Sequence, residues 1–271
     1  MAAAAPLQPR ADRHRGSNLR LHRGTRFGEV SIASPRHQTR ANSTILPVGT
    51  AVALNTLTKG VAALPASTPG RGGARNSASR LSHELSTAHI ANLVAATGWA
   101  KKIGLPFTRM ITIHWEAAGV PLDGMAKATG RYLDLLGKML LRHGGRAAWL
   151  WVHENGPGKG GHCHMLVHVP AALVGILGRL QRGWLRKITG NPYRTRVIYS
   201  RPVGSRLGVE RSSPDLHAVN LARALGYVVK GASMAAAEAF ELQELEPGGP
   251  IIGKRCGTSQ NIGAKARKAK D

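Results

Sequence analysis

The chain has 271 residues, long enough for one domain of ordinary size with additional segments. Its 38 Lys and Arg outnumber 14 Asp and Glu, for a formal net charge of +24. Such a chain adheres to polyanions, because neutralising phosphates releases condensed counterions, so nucleic acid is the default partner. Two cysteines, Cys163 and Cys256, exclude a disulfide framework and lack zinc-finger spacing. The longest weakly apolar stretch, "ILPVGTAVALNTLTKGVAALP", is broken by Pro47, Asn55, Thr58 and Lys59, which argues against a membrane span or a signal-peptide core. A soluble cytoplasmic protein is expected.

Residues 1–80 are rich in Arg, Ser, Ala, Gly and Pro, with Asp12 and Glu29 as their only acids. They lack the apolar surface to offset ordering entropy and are expected to be disordered. An Arg-rich, acid-poor start also resembles an organelle transit peptide. From 81 to 262 the pattern is that of a folded domain. "FTRMITIHW" (107–115) alternates as a half-buried strand, and "GMAKATGRYLDLLGKMLLRHGG" follows with a helical period that stops at Gly144 and Gly145. "AAWLWVHE" (147–154) is a second strand, "NGPGKGG" a turn, and "HCHMLVHV" (162–169) a third strand ended by Pro170. Next come a helix in "AALVGILGRLQRGWLRKITG", a strand in "TRVIYSRPV" and a last helix in "LHAVNLARALGYVVKGA". Residues 263–271 read as a solvated basic tail. The order β-α-β-β-α-β-α predicts an α+β domain of split-βαβ, ferredoxin-like type, an antiparallel sheet with helices on one face.

Strand alternation puts His162 and His164 on one face, about 7 Å apart along the strand, where two imidazoles can share a cation. His168 lies on that face but too far away, and reads as structural. If Glu154 pairs opposite His162 across the turn, it joins them while His153 points away; a one-residue slip exchanges the two. Two imidazoles and a carboxylate with open positions suit Mg²⁺ or Mn²⁺, and also admit Zn²⁺, Co²⁺ or Ni²⁺. On the last helix, Asn220, Arg223, Tyr227 and Lys230 form one stripe, which is expected to turn a phenol and an ammonium outward together.

An apolar strand, then His-hydrophobe-His after an upstream glutamate, then Tyr-x-x-Lys on a later helix resembles the HUH endonuclease superfamily. Within it, the pattern is similar to the single-tyrosine replication initiators of rolling-circle plasmids and filamentous phages. The matching residues are "FTRMITIHW", "HCH" and "YVVKG", within about residues 85–262, with "GLPFTR" and "GKRCGTSQNI" as flanking similarities; Cys163 fills the hydrophobic slot. The resemblance implies a metal held by His162, His164 and Glu154, with Tyr227 attacking a phosphate of single-stranded DNA to leave a 5′-phosphotyrosine. Lys230 would assist the attack. The chain has no G-x-x-x-x-G-K-[ST] sequence, so any helicase is a separate protein.

Two other readings stay open on the sequence. A transposase or mobilisation relaxase of the same superfamily shares the chemistry. A non-catalytic single-strand binder would use Trp115, Trp149 and Trp151 as stacking aromatics, although the chain is only 4% aromatic.

Overall fold

The structure is a computed structural model and describes residues 79–269; the expectation for residues 1–78 lies outside them. A five-stranded sheet forms from β2 (Arg109–His114), β3 (Trp149–Glu154), β4 (His162–Val167), β5 (Ile198–Pro202) and β7 (Cys256–Thr258), in the order β5-β2-β4-β3-β7. All neighbours are antiparallel. A short pair, β1 (Leu81–Ser82) and β6 (Ile251–Ile252), stands apart from it. The helices are α1 (Thr87–Lys102), α2 (Met125–Arg142), α3 (Val174–Thr189), α4 (Val209–Ser212), α5 (Pro214–Val228), α6 (Met234–Ala239) and α7 (Ala264–Lys268). The chain is thus an α+β protein.

Helices cover both faces of the sheet, where the sequence led us to expect one. The α2 and α3 helices pack on the back, against Ile111, Ile113, Trp151, Met165 and Val167. The front carries α1 and α5, over Leu150, Val152 and Leu166. The reason lies in β3 and β4, where nearly every residue is buried. Leu150, Val152 and Leu166 alternate with the back-facing residues, so the front too has apolar surface to withdraw from water. The α1 helix escapes the periodicity argument because Ile90, Leu93, Val94, Ala96, Trp99 and Ala100 are all buried, which spreads its apolar residues around the axis. Its start is set by a capping box: the Ser86 hydroxyl accepts from the His89 amide, and the His89 ring accepts from the Ser86 amide.

The end of the chain also departs from expectation. Residues 264–268 are helical, and Arg267 donates to Asn92 of α1 at 2.8 Å, so the basic tail is docked there by a side chain rather than wholly solvated. The segment "GKRCGTSQNI" adds strand β7 to the outer edge of β3, with Cys256 opposite Val152.

Candidate metal centre and adjoining cleft

The register of the β3–β4 hairpin sets the site. Glu154 lies directly opposite His162, and Val152 opposite His164, while β2 brings Thr112 opposite His164 and His114 opposite His162. Glu154, His162 and His164 therefore share the front face, each 3% exposed or less. His162 Nε2 is 3.3 Å and His164 Nε2 3.5 Å from Glu154 Oε2. One ligand atom from each of the three residues lies within 4.8 Å of the others.

The surrounding groups orient these atoms. His162 Nδ1 donates to the Gly160 carbonyl at 2.8 Å, which leaves Nε2 as a bare lone pair aimed at the cluster. His164 Nδ1 is bonded to Thr112 Oγ1 at 2.9 Å. Its Nε2 is buried with no hydrogen-bond partner, as is Glu154 Oε1. Buried polar atoms left in this way, on a set of two imidazoles and a carboxylate, fit a divalent cation. His153, the other candidate, is on the back face, with Nε2 on Thr129 Oγ1 (2.8 Å) and Nδ1 on the Lys254 carbonyl (2.9 Å). It is a structural histidine. So is His168, whose Nδ1 donates to the Pro106 carbonyl at 2.7 Å.

Lys230 is placed differently from the outward stripe expected of it. The α5 helix ends at Val228, one turn short of Gly231, and Lys230 leaves the helical path to lie 2% exposed with its ammonium on Glu154 Oε2. A buried carboxylate without a counter-charge is costly, and the turn brings one to it. Burial by itself raises the Glu154 pKa. The adjoining His162 and His164 imidazoles and the Lys230 ammonium outweigh burial and hold the carboxyl well below its usual range. Burial lowers the His164 pKa, against the pull of Glu154, so its ring is neutral and ready to ligate.

Tyr227 stays at the surface, 39% exposed. Its ring meets that of His164 edge-on at 5.0 Å, and Lys230 Nζ is 4.8 Å from its centre. Partial burial and the negative charge of Glu154 raise the phenol pKa, with Lys159 opposing. The phenol is therefore protonated at neutral pH. It borders a cleft of about 560 Å³ that is also lined by Thr112, His114, Lys159, Tyr199 and Arg201.

None of these five lining residues stood out in the sequence. The His114 ring stacks on His162 at 5.3 Å, and Tyr199 meets His114 edge-on at 5.9 Å. The alternation in "TRMITIHW" already places Thr112 and His114 on one face; only the pairing of β2 with β4 shows that this is the site's face. Lys159 sits in the hairpin loop, ion-paired to Glu246 at 2.6 Å, a partner 87 residues away that no local pattern announces.

No protein-family model, curated protein or solved structure matches the chain. Among the described residues no helix is long and apolar enough to cross a membrane.

Proposed function

We propose that the protein is a metal-dependent endonuclease and strand transferase of the HUH type, which nicks single-stranded DNA through Tyr227 and rejoins it. The observation that carries this reading is the position of the Tyr227 ring, 5.0 Å from that of a buried candidate metal ligand and open to a cleft. The strand order β5-β2-β4-β3 supports it, because antiparallel pairing throughout makes β2 parallel to β3 with β4 inserted, the split-βαβ arrangement of ferredoxin-like folds.

His162, His164 and Glu154 would hold Mg²⁺ or Mn²⁺, which when bound neutralises charge on the phosphoryl oxygens. Tyr227 Oη attacks the phosphorus as its proton departs, the P–O3′ bond breaks, and the 3′-oxygen is protonated. A 5′-phosphotyrosine and a free 3′-hydroxyl result, and the covalent link keeps the break rejoinable. Lys230 acts here as the buried counter-ion that keeps Glu154 ionised and in place. Lys159, exposed at the cleft beside Tyr227, is the cation better placed to meet an incoming phosphate. Initiation of rolling-circle replication on a plasmid or phage, with a separate helicase, is the biological role this chemistry suits.

A non-catalytic binder is less well supported. Trp115 and Trp151 are buried on the back face, away from the cleft, and Trp149 packs against the same cluster. The deciding experiment is incubation of the protein with single-stranded DNA and Mn²⁺, followed by denaturing electrophoresis. A protein-DNA adduct that maps to Tyr227 is expected. Absence of any adduct, or attachment at Tyr199 or Tyr193, would overturn the reading.

A further inference from the structure

Between Asn155 and Val209 the chain holds nine Lys and Arg and no acid. The fold gathers much of this stretch at one edge of the sheet, because β5 is the outermost strand and α3 leads into it through residues 190–197. Arg179, Arg182, Arg186, Arg194, Arg196 and Arg201 are all exposed there. Among the described residues none of the six is in an ion pair. The neighbouring α2 contains a single acid, Asp134, already engaged by Lys138 at 2.7 Å.

The patch also has shape. Arg182, Arg186, Asn191, Pro192 and Tyr193 line a groove of about 670 Å³. Gly190, at φ 72°, ends α3 in the left-handed conformation that favours glycine, with its amide bonded to Arg186. Asn191 is then held by the Thr189 hydroxyl (3.1 Å) and the Ala118 carbonyl (3.3 Å). The Arg182 guanidinium lies 5.4 Å from the Tyr193 ring centre. The groove is therefore fixed before any ligand arrives. At the other end of the edge, Tyr199 and Arg201 line the front cleft.

We propose that this arginine-rich edge is a second nucleic-acid site, which binds the phosphodiester backbone of the strand leaving the cleft and carries it round β5 to the groove on the back. Guanidinium forks suit phosphate oxygens, and uncompensated ones cost no existing ion pair when they engage. The inference rests on the proposed function only for where the strand begins.

Binding is to be measured without metal, by fluorescence anisotropy of labelled oligo-dT of about 20 and about 6 nucleotides, lengths that bracket a wrapped and a cleft-only ligand. The variant is Arg182→Glu/Arg186→Glu in the full chain, and Arg131→Glu/Arg142→Glu on α2 is the control of equal charge change. For the longer strand, the edge variant is expected to weaken binding at least about tenfold and to lower the slope of log K against log salt by about 1.4, two phosphate contacts at 0.7 each. The control should change affinity less than about threefold, and the short strand should not distinguish the two variants. Equal losses in both variants, or an equal edge-variant loss on the short strand, would overturn the proposal. Thermal unfolding of each variant checks that the fold is intact. Because the measurement needs no cleavage, a protein that makes no adduct but still loses long-strand binding separates this inference from the proposed function.

Discussion

His153 and His164 lie on neighbouring strands of one sheet, buried to the same degree, and face opposite ways. On the back, His153 has both ring nitrogens bonded, within a chain that runs from Lys254 through Thr129 to Trp115 Nε1. On the front, His164 has one nitrogen oriented by Thr112 and the other bare. Burial makes a histidine neutral on either face. What separates a structural histidine from a candidate ligand is whether the second nitrogen already has a partner.

The comparison is broken most directly at the front. Tyr227→Phe removes one oxygen from a partly exposed ring, and adduct formation should fall below detection while DNA retention persists. His164→Ala should abolish nicking likewise, together with any rise in unfolding temperature that Mn²⁺ produces in the wild type. Full nicking by either variant would mean that the front face is as structural as the back. A gentler probe is Thr112→Val, which frees His164 Nδ1 without touching a ligand. Loss of such an orienting bond should weaken Mn²⁺ affinity by about 10–100-fold, as read by calorimetry.

At the back the expected effect is on stability instead. His153→Ala leaves the Thr129 hydroxyl and the Lys254 carbonyl without their partner and opens a cavity, so urea unfolding should report a loss of about 1–3 kcal/mol. Cleavage per folded molecule should be nearly unchanged. A variant that kept its stability but lost nicking would reverse the assignment of the two histidines.

The smallest effect concerns pH. Burial holds the His168 pKa below the usual 6.5, although its bond to the Pro106 carbonyl opposes the shift. The folded state therefore binds fewer protons than the unfolded chain just below pH 6.5, and stability must fall as the pH drops through that value. The urea midpoint of the wild type should decline more steeply than that of His168→Asn between pH 7 and about 5. Parallel declines would show that His168 is not a source of the slope.

The elements legible in the sequence were those with a local period. Alternation located β2 to β5, and the same period put Glu154 with His162 once the turn was closed. Less legible were features set by partners far along the chain. Nothing near "GKRCG" says that Cys256 will pair beside Val152. A helix buried around most of its circumference, such as α1, shows no stripe. Lys230 follows the helical period in the sequence, yet it lies two residues past the last helical one, where the backbone obeys Glu154 rather than the 3.6-residue turn. Lys159 became a cleft residue only through Glu246.

The segment that follows Lys230 is held by the beginning of the described chain. Leu85 donates its amide to the Gly231 carbonyl at 2.8 Å and accepts from the Ser233 amide at 2.9 Å. A little further on, Arg255 Nε reaches Ser82 Oγ at 3.0 Å across 173 residues. These closures form only after large loops have been brought together, which places them late and slow in folding. On the ribosome, the backbone that positions Tyr227 has to wait for nearly the whole domain to emerge. A nascent chain stalled between Lys230 and Arg255 would carry the tyrosine, the histidines and the glutamate without the Arg255–Ser82 closure.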